Sequence, residues 1–93
     1  MAHLSLNVTV TYPAAGRPFH EKEGPASETL ASLKARVLDF FGLTEGEEGG
    51  QRISYFLFKD KQKLTDLSVT VGSLAGEADA LHLKLVQHIE QGA

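Results

Sequence analysis

Four histidines, at positions 3, 20, 82 and 88, are the side chains best suited to hold a metal or move a proton near neutral pH. They are scattered without ligand spacing, and the chain has no cysteine to complete a set, so no metal site is expected. The lack of cysteine also removes disulfides and thiol nucleophiles. Serine, histidine and aspartate all occur, but no stretch has the pattern of a nucleophile elbow or a triad signature. Thr44–Gly50 (TEGEEGG) gathers three glutamates, yet the Asp-x-Asp alternation of a calcium loop is missing, and the segment reads as a solvated loop. Lys59, Lys61 and Lys63 read as a charged turn rather than a nucleic-acid patch. These residue types and spacings predict no catalytic site and no bound cofactor.

The elements that carry them fit a single small domain. Ninety-three residues leave no room for a second one. A chain of this size buries about 60–65% of the surface its unfolded form exposes, enough for one core. Hydrophobic residues make up 42% and charged residues 23%, which is the balance of a globular protein. A net charge of −3 argues against a general binder of nucleic acid or anionic membrane. The amino-terminal residues alternate instead of forming an apolar signal segment, and no run approaches the ~20 apolar residues of a membrane span. The expectation is a soluble, cytoplasmic monomer.

Leu4, Leu6, Val8 and Val10 alternate with polar residues and predict a strand. Tyr12–Pro18 is turn-rich, and Phe19–Glu23 returns as a second arm ended by Gly24-Pro25. Ser27–Phe41 predicts one helix, capped by Ser27 or Thr29 and stopped by Gly42. Its apolar stripe is Leu30, Leu33, Val37 and either Phe40 or Phe41. Gln51–Phe58 is strand-like, with Ile53, Tyr55 and Leu57 on one face and Phe56 and Phe58 on the other. Leu64–Leu74 holds a short extended piece. Leu81, Leu83 and Leu85 alternate in a last strand. The domain is expected over residues 1–87, with 88–93 as a mobile tail. The expected core is Leu4, Leu6, Val8, Leu30, Leu33, Val37, Ile53, Leu57, Leu67, Leu81, Leu83 and Leu85. The fold class is α+β, ββαβ(β)β, with one helix packed on a mixed four- or five-stranded sheet. The first and last strands, the two most strongly patterned, are expected side by side and parallel at its centre.

This order and several stretches resemble the ubiquitin-like family. Thr29–Val37 (TLASLKARV), running on to Gly42-Leu43, looks like the helix of ubiquitin from its threonine cap to its glycine exit. Gln51-Arg52-Ile53 is similar to the opening of the third strand, Leu81–Leu85 (LHLKL) to the last strand, and Lys63–Leu67 (KLTDL) to the segment before it. The resemblance spans the chain apart from wider loops at 12–18, 44–50 and 70–79, and it implies the β-grasp fold.

It also implies a choice of functions. A ubiquitin-like modifier carries a C-terminal glycine on an extended arm. An E1-like activating enzyme adenylates it, and an E2-like conjugating enzyme helps pass it to amines of target proteins. Here Gly92 would be that residue, after a processing peptidase, JAMM-type, removes Ala93. Val86 to Gly92 would reach about 20 Å at ~3.3 Å per residue. The ending Gln91-Gly92-Ala93 departs from Gly-Gly, and this weighs further against a sulfur carrier. The alternative is a free-standing non-covalent interaction module. The resemblance places a partner-binding surface at Ser54, His82 and Lys84, where Ser54 and Lys84 replace apolar residues. Phe56 and Phe58 are the candidate replacements. Lys34 matches a helix lysine used for chain linkage in ubiquitin.

Overall fold

A computed structural model describes residues 5–91, apart from the side chain of Glu48; Leu4, Gly92 and Ala93 lie outside the described residues. The elements run β1 (Ser5–Thr11), β2 (Phe19–Pro25), α1 (Leu30–Phe41), β3 (Gly46–Glu48), β4 (Gln51–Lys59), β5 (Gln62–Leu64), α2 (Val71–Ala75) and β6 (Ala80–Gln91). The sheet order is β2-β1-β6-β4-β3, with β5 also paired to β4. β1 and β6 are parallel neighbours, Asn7 opposite Ala80 through Thr11 opposite Lys84. The other pairings are antiparallel.

The core forms where the apolar stripe of α1 meets one face of this sheet. Leu30, Leu33 and Val37 are buried in one cluster with Leu6, Val8, Leu57, Leu81, Leu83 and Leu85. Val10, Phe19, Tyr55 and Val71 join them, while Ile53 and Leu67 are only partly buried. The ambiguity in the helix stripe resolves to Phe41, which is half-buried, while Phe40 stays exposed.

Of the two caps the sequence offers the structure uses Thr29, so the helix begins at Leu30 rather than beside Ser27, because the chain before it is already hydrogen-bonded elsewhere. Val71 N–H donates to Glu28 O, and Gly72 N–H to Ala26 O. In return, Leu30 and Ala31 donate to the carbonyls of Val69 and Leu67. The Thr29 hydroxyl accepts from Ser32 N–H at 3.2 Å. The first free N–H groups of the helix are thus satisfied by a distant segment and one cap. Gly42 closes it at φ 69°, a left-handed C-cap that glycine adopts without a Cβ clash. Thr29→Ala should lower stability by about 1 kcal/mol, measured by urea denaturation. An unchanged midpoint would mean the Val69 and Leu67 carbonyls suffice.

Two segments differ from the sequence reading. The 44–50 stretch, expected as a loop, contributes the three-residue β3 to the edge of β4. Residues 88–91, expected in a tail beyond a boundary at 87, continue β6 instead. They pair with β4 from Ser54 opposite His88 to Gln51 opposite Gln91. Backbone pairing rather than apolar burial holds this extension, so no hydrophobic period announces it.

Candidate interaction surface

Opposite residues of antiparallel strands share a face. The register of β4 on β6 therefore sets Arg52 beside Glu90, Ser54 beside His88, Phe56 beside Val86 and Phe58 beside Lys84, all on the face away from α1. The parallel pairing with β1 adds Thr9 beside His82 and Thr11 beside Lys84. The five surface residues expected from the sequence (Ser54, Phe56, Phe58, His82 and Lys84) lie on this one outer face. His82 and Lys84 are exposed; Ser54, Phe56 and Phe58 are half-buried.

Phe56 is the centre of the site. The Lys63 ammonium sits 3.7 Å from its ring centroid, close enough for a cation–π contact. Lys34 approaches the same ring at 5.8 Å. The His88 imidazole meets it edge-on, with centroids 5.9 Å apart. Beside the ring lies a hollow of about 90 Å³ lined by Lys34, Tyr55, Leu57, Leu64, Thr65 and Leu67. The segment after β5 thus flanks Phe56 without covering it.

Glu45 organises the rim. Its carboxylate accepts the Tyr55 N–H at 2.8 Å, which satisfies β4 in the gap between β3 and β5. It also pairs with Lys34 at 3.0 Å. Burial pushes the Glu45 carboxyl upward, but the Tyr55 N–H and the Lys34 ammonium outweigh it and hold the group below the usual glutamate value. Lys34, the lysine that the resemblance matches to chain linkage, is 14% exposed and ion-paired. Gly92 and Ala93, the expected conjugation residues, lie outside the described residues.

Sequence reasoning missed Val86, His88 and Lys63 as neighbours of Phe56. Lys63 could have been found by pairing Lys59–Lys63 as a tight hairpin, which sets Phe58 opposite Lys63. Val86 and His88 carry no such signal, because the period of β6 fades beyond Leu85.

No family model and no curated protein matches this chain. Among solved structures, it is similar to the solution structure of the UBL domain of yeast Ddi1, with a TM-score of 0.67 at 14% identity. That match covers 97% of this chain and 96% of the other. With this likeness, the parallel pairing of its first and last strands and the single long helix across one sheet face show that the chain has the ubiquitin-like β-grasp fold.

Proposed function

We propose that this domain is a non-covalent protein-interaction module whose partner docks on the outer sheet face around Phe56. The observation that carries this reading is the half-buried Phe56 ring, flanked by the Lys63 and Lys34 ammonium groups and set beside a hollow at the edge of β4. A partner segment with an apolar side chain flanked by carboxylates fits it. The apolar group enters the hollow against Leu57, Leu64 and Leu67, and the carboxylates meet Lys63 and Lys84. Aromatic anchors of this kind dominate many interfaces.

Conjugation through Gly92, with E1-like, E2-like and JAMM-type partners, asks for a free arm from Val86 to Gly92. Pairing with β4 engages Val86 to Gln91 in the sheet, which supports the non-covalent reading.

One capture experiment separates the two. The wild-type chain, Phe56→Ala and a chain lacking residues 92–93 are used as bait in lysate of cells that express the protein. The expected result is a partner recovered by wild type and by the shortened chain, released by SDS, and bound at least about 10-fold more weakly by Phe56→Ala. Adducts that survive SDS and reductant, carry the Gly92 carboxylate on a lysine amine and vanish with the shortened chain would replace this reading with the modifier.

A further inference from the structure

β6 is a strand with two different halves. Over Ala80–Lys84 it has β1 on one side. From Lys84 to Gln91 it has β4 on the other. β1 ends at Thr11, and the chain turns away at Tyr12, whose carbonyl accepts from Ala15 N–H. A hollow of about 250 Å³ between Tyr12–Ala14 and Lys84–Gln87 marks the point of departure. Among the described residues, no strand lies along the second edge of β6 beyond Lys84.

The other edges of this sheet are protected in the usual ways. β2 carries Glu21, Lys22, Glu23 and Pro25, and its pairing with β1 is irregular between Leu6 and Val8. β3 and β5 are three residues each. The open stretch Leu85–Gln91 (LVQHIEQ) has no proline, lysine or arginine. It also holds Ile89, 46% exposed and one of two large apolar residues left exposed among the described residues. Open strand edges of this kind are templates for another strand.

We propose that this edge pairs with itself: two copies of the chain join antiparallel through β6 about a two-fold axis at Ile89. In that register Ile89 faces Ile89 of the second copy, His88 faces Glu90, and Gln87 faces Gln91. Apolar meets apolar, an imidazole meets a carboxylate twice, and the amides can hydrogen-bond across the axis. A shift of the axis to His88 sets the histidines against each other and Gln87 against Ile89. A shift to Glu90 opposes two carboxylates. An axis between residues puts the inner face of one copy against the outer face of the other. An axis at Gln87 would set Glu90 and Gln91 of the second copy against Lys84 and Leu83, where Thr11 and Val10 already pair. Of the registers compared that clear β1, the Ile89 one alone is self-complementary, the requirement for a two-fold interface. The sheets then run on as one across both copies.

The proposal does not rest on the docking at Phe56, although His88 belongs to both surfaces. It is tested by analytical ultracentrifugation of the full 93-residue chain from 10 µM to 1 mM, concentrations of about the range where small interfaces associate. The expected result is a rise from the 10.1 kDa monomer mass towards twice that value. Ile89→Lys, at a surface position, should raise the dimer dissociation constant about 30-fold or more while leaving the thermal midpoint of the diluted monomer unchanged, because two ammonium groups would meet at the axis. Glu90→Lys should also weaken pairing, and the double exchange H88E/E90K should restore it, since a carboxylate then faces an ammonium across the axis. A chain that stays monomeric to 1 mM overturns the proposal. So does an Ile89→Lys variant that dimerises like wild type, or a double exchange that rescues nothing.

Discussion

Leu33→Ala should destabilise the domain by about 2–5 kcal/mol, and Leu83→Ala by a similar amount. Both residues are buried in the same cluster, Leu33 on the inward stripe of α1 and Leu83 on the middle strand of the sheet. Truncation removes the transfer free energy of the lost methyl groups and leaves a cavity. Neither neighbourhood can collapse to fill it, because α1 is tied at its start to Leu67 and Val69, and β6 is held at Leu83 by its pairing with Val10 of β1 and from Lys84 onward by β4. Domains of this size have total stabilities of roughly 5–15 kcal/mol, so either variant should be partly unfolded in mild denaturant. Urea denaturation of both, with unchanged m-values, gives the measurement. Losses below about 1 kcal/mol at both sites would show that these faces are wrongly assigned.

The second large effect is expected at Arg36. Its guanidinium donates to both oxygens of Glu21, at 2.7 and 2.9 Å, and through Nε to Glu28 at 2.8 Å. It links α1 to β2 and to the segment before its own cap. Glu28 is the most enclosed of the three side chains, at 10% exposed, while Arg36 is 38% exposed and partly screened by water. Arg36→Met would leave two carboxylates facing each other without a cation. The loss should be about 1–2 kcal/mol at pH 7, above a surface pair and below a fully buried one. The pH dependence has a definite sign. The Arg36 hydrogen bonds, helped by its charge and opposed by burial, hold the Glu21 carboxyl below its ordinary value. A depressed carboxylate contributes stability above the unfolded-state pKa, about 4.3, and loses it as pH falls through the lower folded value. The difference between wild type and Arg36→Met should therefore be full at pH 7 and shrink below about pH 4. A difference that is constant from pH 7 to pH 3 would mean that contacts indifferent to the carboxylates, such as the Arg36 guanidinium over the Phe19 ring, outweigh the ion pairs.

The frame of this fold is legible in sequence wherever a strand or helix has one dry face and one wet face. Leu6, Val8 and Val10 alternate because α1 covers one side of β1, and Leu81, Leu83 and Leu85 alternate for the same reason. Gly42 was readable as a stop because glycine accommodates the left-handed cap. Legibility ends where side-chain burial stops being the organising force. Beyond Leu85 the inner positions of β6 are Gln87, Ile89 and Gln91, all exposed, so the period of two disappears although the strand continues. The sequence leaves the start of α1 open between a Ser27 and a Thr29 cap, because hydrogen bonds from Val71 and Gly72, more than forty residues away, decide it. Glu45 could not be recognised as the partner of the Tyr55 N–H, because that contact depends on a gap between two short edge strands. The outer-face residues Ser54, Phe56, Phe58, His82 and Lys84 came from register and resemblance, whereas their cationic setting required tertiary contacts.

The position of β6 has a consequence for synthesis on the ribosome. β6 stands between β1 and β4, so the hairpin of β1 and β2 has no sheet contact with β4 and its partners until the last strand arrives. A nascent chain halted before residue 80 holds two half-sheets with an open slot between them. Its β1 row of Leu6, Val8 and Val10 waits for a neighbour that is translated last. At roughly 5–20 residues per second, that exposure lasts for seconds. The two halves of the sheet are therefore joined only after β6 has cleared the exit tunnel.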